Sequence, residues 1–313
     1  MHSHHHHAPQ TGTKGLTVAF WLNLVFSIIE AIGGVMTNST AILADAFHDF
    51  MDAISIGAAV ILERISGKKR SARFSYGYRR FSLLSAVGLS VFLLIGAAVM
   101  IFSAIQSLLN PQEVDGAGMF WLAILGVAVN GAAFLRLRKG DSDQVHQHAH
   151  GHGHAHSHSG NRNTKAVALH LLEDVLGWVA VLIGAVIIYY TGWYWVDGVL
   201  AIAIAIFIGY NAGKNLLGTM EILLQSVPTE VDMQELVKDL SRVKGVKDIH
   251  DLHVWSLDGS YHVASFHVVI NKTDAVTASE IKENLLEKLQ EYDIQHPTIQ
   301  LESERYPCQF KAC

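Results

Sequence analysis

The stretch Ala44-Asp-Ala-Phe-His-Asp-Phe-Met-Asp52 places three aspartates and a histidine inside an otherwise apolar run over roughly residues 41–63. At 3.6 residues per turn, Asp45, His48, Asp49 and Asp52 fall on one stripe about 100° wide. A second stretch, Ala168-Leu-His-Leu-Leu-Glu-Asp174, lies in the run 165–190 and sets His170, Glu173 and Asp174 on a shared face. Each run carries an H-x-x-x-D pair, His48/Asp52 and His170/Asp174, four residues apart and so on one side of a helix.

The energetics give these pairs a purpose. An ionisable group at the centre of a bilayer costs about 2.5–3.5 kcal/mol on insertion scales. Seven of them on two helices need a partner. Two imidazoles with two carboxylates are the nitrogen and oxygen donors that suit tetrahedral Zn²⁺. Calcium prefers six to eight oxygens, and magnesium prefers carboxylates and water. Copper(I) prefers sulfur, and both cysteines, Cys308 and Cys313, are far away in the chain. Polar packing groups, or a proton relay without metal, would account for one intramembrane histidine but not for two identical pairs. Asp45 lies one turn before the pairs and is expected to line an entry. Asp49 and Glu173 are expected to support the ligands or line a pathway.

Six apolar runs of membrane-crossing length are predicted, roughly at 15–37, 41–63, 82–107, 117–137, 165–190 and 197–218. Glu30, Asn130 and Asp197 also fall within them or at their edges. Loop charge sets the orientation. The 64–80 loop holds Arg64, Lys68, Lys69, Arg70, Arg73, Arg79 and Arg80, and the 136–165 loop holds Arg136, Arg138, Lys139, Arg162 and Lys165. The 37–40, 108–116 and 191–196 loops contain no Lys or Arg. Both termini are therefore expected in the cytoplasm. The histidine-rich start lacks the features of a cleavable signal peptide, so the first run is expected to remain as a span.

Half of the 313 residues are hydrophobic and 16% are charged, against about 25% charged in soluble domains. A net charge of −5 argues against a nucleic-acid partner. Two cysteines do not make a disulfide framework, which points to thiol or metal chemistry in a reducing compartment. Of the 19 histidines, five lie in residues 2–7, read as a native segment, and seven lie between His146 and His158. The latter alternate with Gly, Ala and Ser, as in a flexible metal-collecting strand.

The organisation expected is a histidine-rich cytoplasmic segment 1–14, an all-α six-span membrane domain 15–222 with a histidine-rich loop 140–163, and a cytoplasmic domain 223–313. In the last, 231–241 reads as an amphipathic helix. DIHDLHVWSL and YHVASFHVVI read as strands separated by Asp258-Gly259. Thr277 and Glu280 form a capping box before a helix burying Ile281, Leu285, Leu289 and Tyr292, and HPTIQLE reads as a third strand. The order αββαβ predicts a small α/β ferredoxin-like fold. His253 is expected to pack near Trp255, and His262 to lie on the surface.

ADAFHDFMD and ALHLLED resemble the second-span and fifth-span signatures of the cation diffusion facilitator family. FSYGYRR (Phe74–Arg80) is similar to its basic loop, and HQHAHGHGHAHSH to the histidine-rich loop of its zinc members. The resemblance covers nearly the whole chain. It implies a homodimer in the bilayer whose transport site is His48, Asp52, His170 and Asp174. Histidine at the first position looks like the zinc-preferring branch; the bacterial type with aspartate there also moves cadmium. The resemblance further implies a cytoplasmic zinc site at His250, His267 and Glu302. His296, Cys308 and Cys313 resemble a second cytoplasmic site of animal vesicular zinc transporters, completed by the partner's N-terminal histidines. Here the cysteines are spaced C-x₄-C rather than C-x-x-C, and no cysteine accompanies the N-terminal histidines.

Zinc binds neutral imidazole and ionised carboxylate, so binding displaces protons, and a free histidine titrates near pH 6.5. The function expected is Zn²⁺ export in exchange for H⁺ by alternating access, in a bacterial inner membrane or a eukaryotic vesicle or plasma membrane. The cytoplasmic sites would stabilise or regulate the dimer. A broader divalent carrier (Cd²⁺, Co²⁺, Ni²⁺, Fe²⁺), a metal-activated channel and a membrane-anchored metal sensor or store are the alternatives. An enzyme is not expected, because the sequence offers no nucleophile–base set, phosphate loop or open catalytic zinc motif.

Overall fold

The computed structural model describes residues 12–66, 68, 70–145, 159–270 and 277–303. Six long helices come first: α1 (Gly12–Thr37), α2 (Thr40–Ser66), α3 (Phe81–Leu109), α4 (Gly116–Val145), α5 (Ser159–Thr191) and α6 (Trp195–Leu223). Then follow α7 (Met233–Ser241), β1 (Val246–Ser256), β2 (His262–Ile270), α8 (Ala278–Glu291) and β3 (Ile294–Ser303). The chain divides into two compact units, Met1–Val60 with Val91–Gly213, and Ile61–Ser90 with Lys214–Cys313.

Among the described residues, five helices are long and apolar enough to cross a membrane: α1, α3, α4, α5 and α6. The remaining long helix, α2, carries Asp45, Asp49 and Asp52 within its first two thirds. Side chains such as Leu22, Met36, Phe102, Leu109, Trp121 and Leu217 are exposed, as lipid-facing groups are. The interior of the first unit sets many small residues around Trp178, with Ile42, Met119 and Ile188 among the larger ones. Ala41, Ala104, Ala123, Ala185 and Ala201 are buried about Trp178, and a Cβ at Gly126 would stand 2.1 Å from the Trp178 ring. Small residues let helices approach where lipid supplies no hydrophobic drive.

The turn Thr37-Asn38-Ser39-Thr40 sets the polar stripe of α2. Asn38 is left-handed (φ 54°), and Asn38 N–H and Ser39 N–H donate to Val35 O and Gly34 O at 3.3 and 2.9 Å. That double bond closes α1 in a Schellman motif. Ser39 then opens α2, its hydroxyl accepting Ile42 N–H at 3.2 Å. The carboxylate of Asp197, in the first turn of α6, accepts Thr40 N–H at 2.6 Å and Ala41 N–H at 3.3 Å. The first three amides of α2 are thus all satisfied.

In the second unit, β1 pairs antiparallel with β2, and β2 pairs parallel with β3. The parallel pair needs a crossover, and α8 supplies it. Asp232 caps α7 by accepting Gln234 and Glu235 N–H at 2.8 and 3.1 Å. Thr277 and Glu280 form a reciprocal capping box at α8. Leu236 and Leu240 of α7 and Ile281, Leu285 and Leu289 of α8 pack on Val254, Ala264, Phe266 and Val268 of the sheet. Between β1 and β2, Asp258 Oδ1 accepts Ser260 and Tyr261 N–H at 3.0 and 2.8 Å, and Gly259 takes the positive φ of 91° that the turn requires.

Two surface expectations are corrected. His262 is buried at 5% exposure, because β2 is covered along its start and its amide donates to Gln295 Oε1 at 2.6 Å. His253 does not pack inward. Its side chain is 46% exposed and its Nε2 lies 3.0 Å from Asp251 Oδ1. A bulge between His250 and His253 shifts the alternation that would have turned it inward.

Candidate metal sites

On α2, His48 Nε2 and Asp52 Oδ2 lie 3.8 Å apart, each half-buried, which is the four-residue neighbour relation of one helix face. Asp45 and Asp49 are buried beside them. The charge of Asp174, on α5, reaches both Asp45 and Asp49, and so does that of Asp52. The acidic groups of α2 and α5 therefore converge on one region. His170 lies on α5 one helical turn before Asp174, and its side chain is outside the described residues. Glu173 is exposed on α5 rather than turned into this region.

Glu30 belongs to the same cluster. It is 1% exposed on α1, and Asp49, Asp45 and Asp174 act on it electrostatically. The sequence held one signal for it, a lone carboxylate in an apolar helix, but nothing in residue spacing connects α1 to α2. Five carboxylates gathered in an apolar surround, Glu30, Asp45, Asp49, Asp52 and Asp174, are a place for cations or protons, not for anions.

The second cluster is on the sheet. His250 and His267 are cross-strand partners, and Glu302 lies opposite Val269 on β3. Phe266, Val268 and Leu301 pack in the core under α7 and α8, so alternation puts His267 and Glu302 on the other face. There the ligand atoms of His250, His267 and Glu302 all lie within 4.8 Å of one another. Glu302 Oε1 is 3.0 Å from His267 Nδ1, and Oε2 is 3.4 Å from His250 Nε2. The two rings meet edge to face at 5.3 Å. Two nitrogens and one oxygen at this spacing fit a small N/O-coordinated divalent ion such as zinc, with a fourth position to be filled.

Asp251 is the residue that sequence reasoning missed. It occupies the β1 bulge with φ 53°. Its carboxylate holds His253 at 3.0 Å and comes within 4.0 Å of His267 Nε2. Only the left-handed bulge brings it to this face, and a bulge is not legible from alternation. His296, assigned by resemblance to another site, is half-buried and meets Tyr76 edge to face at 5.7 Å. Cys308, Cys313, the histidines of residues 2–7 and those of 146–158 lie outside the described residues.

Comparison with known proteins gives two matches in sequence order. The profile of the cation efflux transmembrane domain matches residues 16–224, and that of the cation efflux protein cytoplasmic domain matches 228–304. The chain is 33% identical over 310 residues to the cadmium, cobalt and zinc/H(+)-K(+) antiporter of Bacillus subtilis, covering 96% of this chain and 93% of that one. It is 35% identical over 307 residues to the metal cation efflux system protein CzcD of Cupriavidus metallidurans, covering 96% and 89%. It is 29% identical over 320 residues to the zinc transporter ZitB of Escherichia coli, covering 100% and 95%.

Proposed function

The chain belongs to the cation efflux, or cation diffusion facilitator, family of multi-pass membrane proteins, and on that footing we propose that it exports Zn²⁺ from the cytoplasm in exchange for H⁺. The observation that carries the reading is the His48–Asp52 pair at 3.8 Å on α2, with Asp174 of α5 acting on the same acidic stripe. His48, Asp52, His170 and Asp174 hold the ion. α2 is counted as the sixth span: its polar groups face the cluster, so the insertion cost of its aspartates is met by the cargo or by protons. Both termini are cytoplasmic, and residues 223–313 form a ferredoxin-like αββαβ domain through which two copies dimerise. The protein is a carrier and not an enzyme.

The exchange follows from the donor set. Neutral imidazole and ionised carboxylate take the metal from the neutral cytoplasm. When the site opens to a more acidic side, protons claim the same groups, and the metal leaves. Metal and proton thus compete for one set of lone pairs, and alternating access makes that competition vectorial. On the sheet, His250, His267 and Glu302 would hold a resident zinc. It would stabilise the dimer or bias the inward/outward equilibrium, the latter only if it binds the two states unequally.

The test is zinc flux into proteoliposomes with and without an imposed pH gradient. Coupled exchange requires the gradient to accelerate uphill uptake, and flux indifferent to it would leave facilitated diffusion. A second reading, export of several divalent metals, has a specific support. The Bacillus subtilis and Cupriavidus metallidurans relatives carry names that go beyond zinc. Parallel flux assays with cadmium and cobalt separate the two.

A further inference from the structure

The loop between α2 and α3 is cationic without relief. From Arg64 to Arg80 it holds seven Lys and Arg and no Asp or Glu. Part of it walls a groove of about 540 Å³ in the second unit, lined also by Trp255 and Leu257 at the end of β1 and by Phe81, Leu84 and Leu223. Three arginines line it, Arg73, Arg79 and Arg80, and no carboxylate does among the described residues.

The three arginines are not equivalent. Arg79 is engaged: its Nη1 donates to Asp258 Oδ2 at 3.2 Å, and its guanidinium lies 4.3 Å from the centre of the Tyr261 ring. Arg73 lies over Phe74 at 5.7 Å and has no carboxylate partner among the described residues. Arg80 Nε is buried and has no hydrogen-bond partner there. A buried guanidinium nitrogen without an acceptor is costly, and its planar fork fits a phosphate in two-point contact.

The apolar lining says what carries the phosphate. Phe81 is the first residue of α3 and Leu223 the last of α6, both helices of membrane-crossing length. The groove therefore stands where two spans leave the bilayer. Leu84, one turn into α3, is exposed, so the polar wall gives way to an apolar, lipid-facing one. Three arginines beside the apolar ends of two spans match an amphiphile.

We propose that this groove is a binding site for an anionic phospholipid, its phosphate held by Arg80 and Arg73 and its acyl chains running down past Leu84. It rests on the membrane placement of α3 and α6, and not on any assignment of the transported ion. A lipid seated here touches the loop, both span ends and the β1–β2 turn at once, so the headgroup composition of the membrane would tune how firmly the turn is held.

The test uses the full-length protein reconstituted in phosphatidylcholine nanodiscs containing a minor share of phosphatidylglycerol. Phospholipids retained after mild detergent extraction are counted by native mass spectrometry. Wild type retains phosphatidylglycerol over phosphatidylcholine roughly thirtyfold beyond the nanodisc ratio, the scale expected when two arginines contribute about 1 kcal/mol each. R73Q/R80Q retains both in the nanodisc ratio, whereas R70Q, whose side chain does not line the groove, keeps the preference. Equal retention of the two lipids by wild type overturns the proposal without any variant. So does an unchanged preference in R73Q/R80Q, and so does displacement of the lipid by millimolar inorganic phosphate, which would make the ligand a free anion.

Discussion

The Ser39 hydroxyl donates to Asp197 Oδ1 at 2.6 Å, joining residues 158 positions apart in the chain at the junction of α1, α2 and α6. Asp197 is fully buried and takes the amides of Thr40 and Ala41 besides. One carboxylate therefore caps the helix that carries His48 and Asp52 from the start of another helix. A negative charge at a helix N-terminus is favourable, and here it also fixes where the α2 stripe begins and which way it faces.

Replacing Asp197 by alanine leaves two buried amides and a hydroxyl without their acceptor. The expected loss is about 3 kcal/mol, and S39A, which removes the N3 cap and the hydroxyl's bond to Asp197 but leaves the Thr40 and Ala41 amides their acceptor, is expected to cost about 1 kcal/mol. D197N should fall between them, since an amide oxygen accepts one of these bonds but carries no charge. Thermal unfolding of the purified protein measures the order. Equal melting of S39A and D197A would mean that the carboxylate contributes nothing beyond the hydroxyl.

Zinc flux should fall to background in H48A and D52A, while zinc binding at His250, His267 and Glu302 persists. H48D should retain zinc transport and admit cadmium, because it exchanges a nitrogen donor for oxygen and relaxes the preference that two imidazoles impose. Radiotracer uptake by the three variants side by side decides the matter. Normal zinc flux in D52A would remove α2 from the transport site.

The polar stripe of α2 was legible because a helix repeats every 3.6 residues and a bilayer makes each charge conspicuous. The capping box at Thr277 was legible because it is local. Asp197 was visible only as an odd carboxylate, since its partners lie on a distant turn. Asp251 and His253 were unreadable or misread because one bulge in β1 breaks the alternation on which strand faces are judged, and His262 was misread because β2 is covered at its start. α4 runs on to Val145, past Arg136, Arg138 and Lys139, so the helix outlasts the apolar run of 117–137 by which the span was read.

Asp251 should matter to the cytoplasmic cluster without being one of its three convergent groups. Its carboxylate restrains His253 and approaches His267, the position from which an outer partner orients a ligating imidazole. D251N is expected to weaken zinc binding there about tenfold, the usual scale for such partners, and E302Q to weaken it far more. Calorimetric titration of the full chain in an H48A background separates this cluster from the proposed transport site. Equal losses in D251N and E302Q would promote Asp251 to a ligand.

Asp258 makes the β1–β2 turn sensitive to acid. Burial works to raise its pKa, but the amides of Ser260 and Tyr261, the Ser260 hydroxyl and the Arg79 guanidinium outweigh burial and hold it below the ordinary aspartate range. A group depressed in the folded state stabilises it above the unfolded pKa, about 3.9 for aspartate. That contribution disappears as pH falls through the lower folded value. The melting temperature of wild type should therefore exceed that of D258N by a constant margin from about pH 5 to 8, and the margin should close below about pH 4. R79Q should shrink the margin without abolishing it, because the backbone donors of the turn remain. A margin that instead grew as pH rose above neutrality would place the titrating group elsewhere, and the ion pair with Arg79 would then not be what secures the turn.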